Sequence, residues 1–224
     1  TMEDTAWKES VMSQRHEKIM DFDMRYDAAD MRNLQNRLGS LGGKANLVMS
    51  RAANRAASTA RTVMKRQAAD VYIVSQKKVA DAIKIRKATQ SYPTASISAR
   101  GYGIELYEFH VSPRRIARPA KSDGGKGRKP PKFYSSRNKR RESRKPLSKD
   151  PKPFVAKRKN GKISVLQRVS DDPRSEVWVK YGPSIPKMLE NEEVMSKVEE
   201  ESTKMLLKRI EHEMDRVLKG GGSR

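Results

Sequence analysis

Apolar positions recur at helical spacing near both ends of the chain and in alternation through its middle. Ile19, Phe22, Tyr26 and Ala29 fall on one helical face, and residues 5–38 contain neither glycine nor proline. The pattern predicts one long helix there, stopped by Gly39, Gly42 and Gly43. Residues 44–69 predict a second helix carrying Ala52, Ala53, Ala56, Ala57, Ala60 and Ala68. Alanine favours helix, and its small side chain lets another element approach closely. Arg51, Arg55, Arg61, Lys65 and Arg66 lie largely away from the alanine face. They read as a solvated helix face, with nucleic-acid contact as the alternative. The last helix, 191–218, has Asn191 as its cap and Glu192 and Glu193 in its first turn, where carboxylates suit the helix dipole. Val194, Val198, Met205, Leu206, Ile210, Met214 and Val217 form its apolar face, and Lys219-Gly220 ends it.

The middle of the chain alternates with period two. Ser75 is placed to cap a short helix over 76–83. Ile83 and Ile85 then alternate with Lys84 and Arg86 in a basic strand, broken at Ser91-Tyr92-Pro93. Residues 95–99 alternate around Ile97, Arg100 to Gly103 make a turn, and 104–111 follow. Residues 95–111 therefore predict an antiparallel hairpin. A second hairpin over 153–167 turns at Asn160-Gly161, a pair that tolerates the positive φ angles of a type I′ turn. Val177-Trp178-Val179 reads as a strand fragment. Tyr181, Gly182, Pro183 and Pro186 follow. Two prolines fix φ and remove donors, so this segment is expected to be a structural hinge that sets the last helix. The fold class expected is α+β. A small antiparallel sheet from residues 71 to 180 packs against the Ala-rich helix and the long C-terminal helix, with a projecting N-terminal helix and a long basic loop. The expected domains are an N-terminal helical arm, 1–43, and an α+β domain, 44–224, with a basic loop insertion at 113–152.

Composition changes this picture in one respect. The 224 residues carry a net charge of +22, only 35% are hydrophobic, and there is no cysteine. Apolar side chains are too few to offset chain entropy over the whole length, so a modest core with long partner-covered segments is expected. The charge is also uneven. Residues 113–168 hold 21 basic and 3 acidic residues, a net +18, while both ends are mildly acidic. Such a block favours polyanions, through counterion release from phosphates, or acidic partner surfaces. Arg128, Lys129, Arg137, Lys139, Arg140, Arg141, Arg144 and Lys145 are the candidates for DNA or acidic-partner contact. With no helix-turn-helix, zinc-finger or aromatic stacking platform, any DNA contact is expected at the backbone.

Signals for catalysis are poor. His16, His110 and His212 lie far apart without metal-ligand spacing, and Gly101-Tyr102-Gly103 lacks the third glycine of a dinucleotide loop. Gly124-Gly125-Lys126-Gly127 lacks the phosphate-loop spacing, and the carboxylates do not gather as a metal-binding set. The chain reads as a non-enzyme with no catalytic residue, metal site or cofactor. No run of about 18 apolar residues and no apolar N-terminal signal core occur, so neither membrane nor secretion is expected.

The order of certain segments is distinctive. Met49 to Ala56 (MSRAANRA), Tyr72-Ile73 ahead of Lys77-Lys78-Val79, and residues 95–101 form one set. Tyr181 to Leu189 (YGPSIPKML), followed by a glutamate-rich helix ending in RIEHEMDR at 209–216, forms a second, with the Asn160-Gly161 hairpin between them. This ordered set, over residues 41–218, resembles the phage minor tail protein Z family, the lambda-type tail completion proteins of long-tailed phages. The residues before Gly39 and the enlarged basic loop depart from a minimal member. The resemblance implies a virion protein at the head-proximal end of a tail, near the neck. It implies a homo-oligomeric ring, expected to be sixfold, that finishes the tail, joins it to the head and supports DNA passage. Implied partners are further copies of the chain, the tail terminator, the tail tube, neck and head-completion proteins, and double-stranded DNA, with assembly in the host cytoplasm. The alternative is a basic ribonucleoprotein component of ribosomal type with an RNA-binding extension.

Overall fold

The computed structural model describes residues 17–23, 28–112, 114, 116, 134–139, 145–147, 151–172 and 174–220. The fold is α+β with a long C-terminal helix, and among the described residues the strands form three small three-stranded sheets rather than one. Backbone contacts divide the chain into two compact units.

One unit comprises Ile19–Ala69, Ser75–Gly101 and Pro186–Arg224. It begins with β1 (Lys18–Asp23), then α1 (Ala28–Leu38), a 3-10 turn over Gly39–Lys44, and α2 (Ala45–Val71). The long first helix expected over 5–38 is thus interrupted: 18–23 is a strand, and helix starts at Ala28. Met20 and Phe22 also alternate with Asp21 and Asp23, and pairing with a neighbouring strand selects this period over the helical spacing of Ile19, Phe22 and Tyr26. Residues 1–16, in the predicted arm, lie outside the described residues. Nor does the end of α1 project. Leu34 and Leu38 are buried in one cluster with Ala45, Val48, Met49, Met214 and Val217.

Helix α2 owes its placement to small side chains. Ala52, Ala53, Ala56, Ala57 and Ala60 are each 0% exposed. A helix face this thin lets neighbours pack close to its backbone. Ser75 caps α3 (Gln76–Ala82) as expected, its hydroxyl accepting the Lys78 N–H. Strand β2 (Ile83–Arg86) follows and pairs antiparallel with β3 (Ser96–Gly101), Ile85 opposite Ile97. This replaces the hairpin expected over 95–111. The connection is folded by long-range bonds: the Asn54 side chain accepts the Ala88 N–H at 2.8 Å and donates to the Ala88 carbonyl at 3.0 Å. The sheet order is β1–β3–β2. Helix α4 (Ile185–Leu189) and helix α5 (Glu192–Leu218) close this part of the chain. Asn191 accepts the Glu193 N–H, and Val194, Val198, Leu206, Met214 and Val217 of the expected apolar face are buried.

The other unit comprises Thr1–Lys18, Asp70–Val74 and Tyr102–Ile185. A short 3-10 turn (Leu106–Glu108) interrupts the second half of the expected 95–111 hairpin, and β4 (His110–Ser112) pairs with β5 (Tyr134–Ser136), which pairs with β6 (Lys145–Pro146). The third sheet is β7 (Phe154–Lys157), β8 (Ile163–Arg168) and β9 (Val177–Val179) in that order. The β7–β8 hairpin turns at Asn160-Gly161 as expected, but not by type I′ geometry. Gly161 has φ 81° and Asn160 has no positive φ. The Gly161 N–H donates to Arg158 O and the Arg158 N–H to Lys162 O, each at 2.9 Å. This is a three-residue loop, a type I turn followed by a left-handed glycine.

Candidate functional site

Three sets of residues bear on function, and the described structure treats each differently. Of the eight basic candidates, Arg137 and Lys139 are described, both with exposed side chains. They flank Asn138, which bridges Tyr72. The Ile73 N–H donates to Arg137 O and the Lys139 N–H to Val71 O, both at 3.0 Å. The backbone beneath the two cations is therefore tied to residues 71–73, while their charges face solvent. Lys145 has its backbone in β6. Arg128, Lys129, Arg140, Arg141 and Arg144 lie outside the described residues.

Basic residues of α2 are drawn into structure. Arg51 pairs with Glu213 at 3.4 Å, Arg66 with Glu201 at 2.6 Å, and the Arg61 guanidinium donates to the Ala80 carbonyl at 2.8 Å. These contacts tether α2 to α5 and α3, so Arg51, Arg61 and Arg66 are engaged with neighbouring helices rather than forming the purely solvated face expected.

The 181–186 segment is anchored at its start. The Leu106 N–H donates to Lys180 O at 2.8 Å, the Gly182 N–H to Ile104 O at 2.7 Å, and Tyr181 bridges Glu105. Gly182 passes so close to Phe109 that a Cβ there would lie 2.5 Å from ring atom Cε2. Pro183 follows directly, and the Pro186 carbonyl accepts the Glu190 N–H at 2.9 Å.

Beside this segment is an ion cluster that sequence reasoning missed. Glu105 Oε1 meets Arg158 and Lys162 at 3.1 Å each, and its Oε2 accepts the Ser164 hydroxyl at 2.9 Å. Burial pushes the Glu105 carboxyl up. Hydrogen bonds from Lys162 and Ser164 and the charges of Lys162 and Arg158 outweigh that, holding it below its ordinary value. The Asn160-Gly161 turn signals that Arg158 and Lys162 end up adjacent, but nothing local signals that Glu105 joins them. The cluster joins the 105–108 turn to the β7–β8 hairpin. With every carboxylate oxygen engaged, its chemistry is that of a structural clasp.

Among the described residues no group of three or more His, Asp or Glu is placed to hold a metal ion, and no helix is long and apolar enough to cross a membrane. An open groove of about 460 Å³ is lined by Gly43, Lys44, Asn46, Leu47, Gln90 and Ser91, a set without an acid–base pair.

The model of the family described as prophage minor tail protein Z (GPZ) matches residues 33–220. The chain belongs to this family. No curated protein and no solved structure matches it. As a minor tail Z protein it is a phage tail structural protein, part of the virion and associated with other tail proteins. The match takes in α2, α5, all three sheets except β1, and the whole basic block. Strand β1 precedes it.

Proposed function

We propose that this minor tail Z protein is a tail-completion component of a long-tailed phage, placed at the head-proximal end of the tail where it meets the neck. It works as a homo-oligomeric ring, sixfold by expectation, that joins tail to head and supports DNA passage. The tail terminator, the tail tube and head-completion proteins are its neighbours, and it assembles in the host cytoplasm. The observation that carries this reading is the family match over residues 33–220. It also sets aside the ribonucleoprotein alternative.

The charge distribution supports the DNA part. Residues 113–168 hold a net +18, and Arg137 and Lys139 present their charges to solvent. A ring around passing DNA must accept any sequence, which backbone contacts allow. Arg128, Lys129, Arg137, Lys139, Arg140, Arg141, Arg144 and Lys145 are the proposed contacts to DNA or to an acidic neighbour. Tyr181, Gly182, Pro183 and Pro186 are the proposed hinge that sets the entry to α5.

The test is to replace Arg137, Lys139, Arg140 and Arg141 together by glutamine in the phage. Particles are scored for head–tail joining by electron microscopy, for retained DNA, and for ejection by dye release. In the purified protein the slope of log DNA affinity against log salt should flatten by up to about 3.6, at about 0.9 per lost phosphate contact. Particles that join, retain and eject DNA normally would refute the role given to the basic loop.

A further inference from the structure

The β1–β3–β2 sheet has two edges of opposite charge. Within β1, Met20 is buried and Phe22 half-buried, while Ile19, Asp21 and Asp23 occupy the opposite, exposed face. Within β2, Ile83 is buried and Ile85 half-buried, while Lys84 and Arg86 are exposed. Register places Lys84 opposite Ser98 and Arg86 opposite Ser96 of the central strand. The outer face therefore runs from cations on one edge, across Ser96, Ser98 and the exposed Arg100 of the central strand, to carboxylates on the other. Glu17, exposed, extends the acidic row beyond β1. Lys18, by alternation, lies on the Met20 face. At about 4.8 Å between strands, β1 and β2 stand about 9.6 Å apart, too far for their backbones to pair with each other.

Among the described residues both are edge strands, and an edge is a template for another strand. Pairing β1 with β1, or β2 with β2, of a second copy would bring like charges opposite, which is destabilising. Pairing β1 of one copy with β2 of the next brings Asp21 to Lys84 and Arg86, with Asp23, which already has a partner within its own chain, beside it; Arg86 reaches the edge from its place over the Tyr92 ring, 5.4 Å from the ring centre. That contact is heterologous, and repeated heterologous contacts close into rings when the rotation allows. Ile19, 49% exposed, adds apolar area at the same edge.

We infer that the acidic β1 edge of one copy docks on the basic β2 edge of the next, so that the sheet continues from subunit to subunit. This names the self-contact of the ring and rests on the ring reading above. Because β1 precedes the family match, the acidic half of the contact is supplied by sequence outside the part that defines the family.

Two charge-reversed full-length chains test it: Lys84→Glu with Arg86→Glu, and Asp21→Lys with Asp23→Lys. Each is compared with wild type by native mass spectrometry and sedimentation after circular dichroism has confirmed folding. Each variant alone should lose self-association at least tenfold. Mixed in equal amounts they should reassociate in alternation, because one then has two acidic edges and the other two basic edges. A second measurement does not depend on those variants. The chain has no cysteine, so Asp21→Cys with Lys84→Cys should give a ladder of bismaleimide cross-links, in solution or in purified virions, and neither single cysteine variant should. If the charge variants keep the wild-type oligomer, or rings show no ladder, the edge contact is wrong and the ring reading stands. If the wild type is monomeric in solution, shows no symmetry in virions and forms no ladder, both readings fall.

Discussion

Replacing Gly182 by alanine tests the packing beside the 181–186 segment, because two opposing effects give it a sign. Gly182 is not among the glycines with positive φ. An alanine there meets no left-handed strain, and by restricting the unfolded chain it would stabilise by about 0.4–1 kcal/mol if space allowed. Space does not allow it. The new Cβ would sit 2.5 Å from Cε2 and 3.2 Å from Cδ2 and Cζ of Phe109. Carbon atoms rest about 3.5 Å apart or more, so something must move by about 1 Å. The ring has no room, being 1% exposed, and the backbone is held by the 2.7 Å bond from the Gly182 N–H to Ile104 O. Overpacking of this kind costs about 1–3 kcal/mol, which outweighs the entropic gain. Net destabilisation of about 1.5 kcal/mol is expected, lowering the melting temperature by about 3–6 °C for a chain of this size. The assay is urea and thermal unfolding followed by circular dichroism, repeated with Phe109→Leu and the double variant. Leucine removes the ring edge, so the double variant should be more stable than the sum of the single effects by about 0.5 kcal/mol or more. A Gly182→Ala protein as stable as wild type, or strictly additive effects, would refute the reasoning.

Other expectations follow from the same physical terms. Glu105→Gln leaves Arg158 and Lys162 without their anion and should destabilise by about 1–3 kcal/mol. Because the Glu105 carboxyl is held below its ordinary value, its contribution is complete above the ordinary range. It is lost as pH falls through the lower folded-state value, so the gap between wild type and Glu105→Gln should close in acid unfolding curves. Ala56→Leu adds three carbons to a helix face that is 0% exposed and should cost about 1–3 kcal/mol or more. The exposed neighbour Arg55→Ala should stay within about 0.5 kcal/mol in the same melts. Gly161→Ala forces a side chain to φ 81° and should cost about 1–2 kcal/mol, read as a lower urea midpoint.

Helix ends and the tight turn were legible because their causes are local. Ser75 and Asn191 cap through bonds that reach two or three residues ahead, and Asn160-Gly161 turns the chain within three residues. The alanine pattern of α2 and the apolar face of α5 likewise follow from side-chain period alone. The uneven charge, and with it the eight candidate basic residues, is visible by counting.

Apart from the β7–β8 hairpin, strand partners were not legible. The hydrophobic pattern marks which residues pair, not with whom; β3 pairs with β2, and the connection between them is bonded at Ala88 by Asn54, 34 residues earlier in the chain. In β1 two periods competed over six residues, and pairing with β3 decided between them. The Glu105 clasp joins groups separated by 53 and 59 residues, and no spacing rule connects such positions. The opposed charges of the β1 and β2 edges became a feature only once β3 was placed between them. Local hydrogen-bonding capacity and side-chain period are written into short stretches of chain and can be read there. Which distant surfaces meet depends on burial and pairing energies that exist only after the chain has closed on itself.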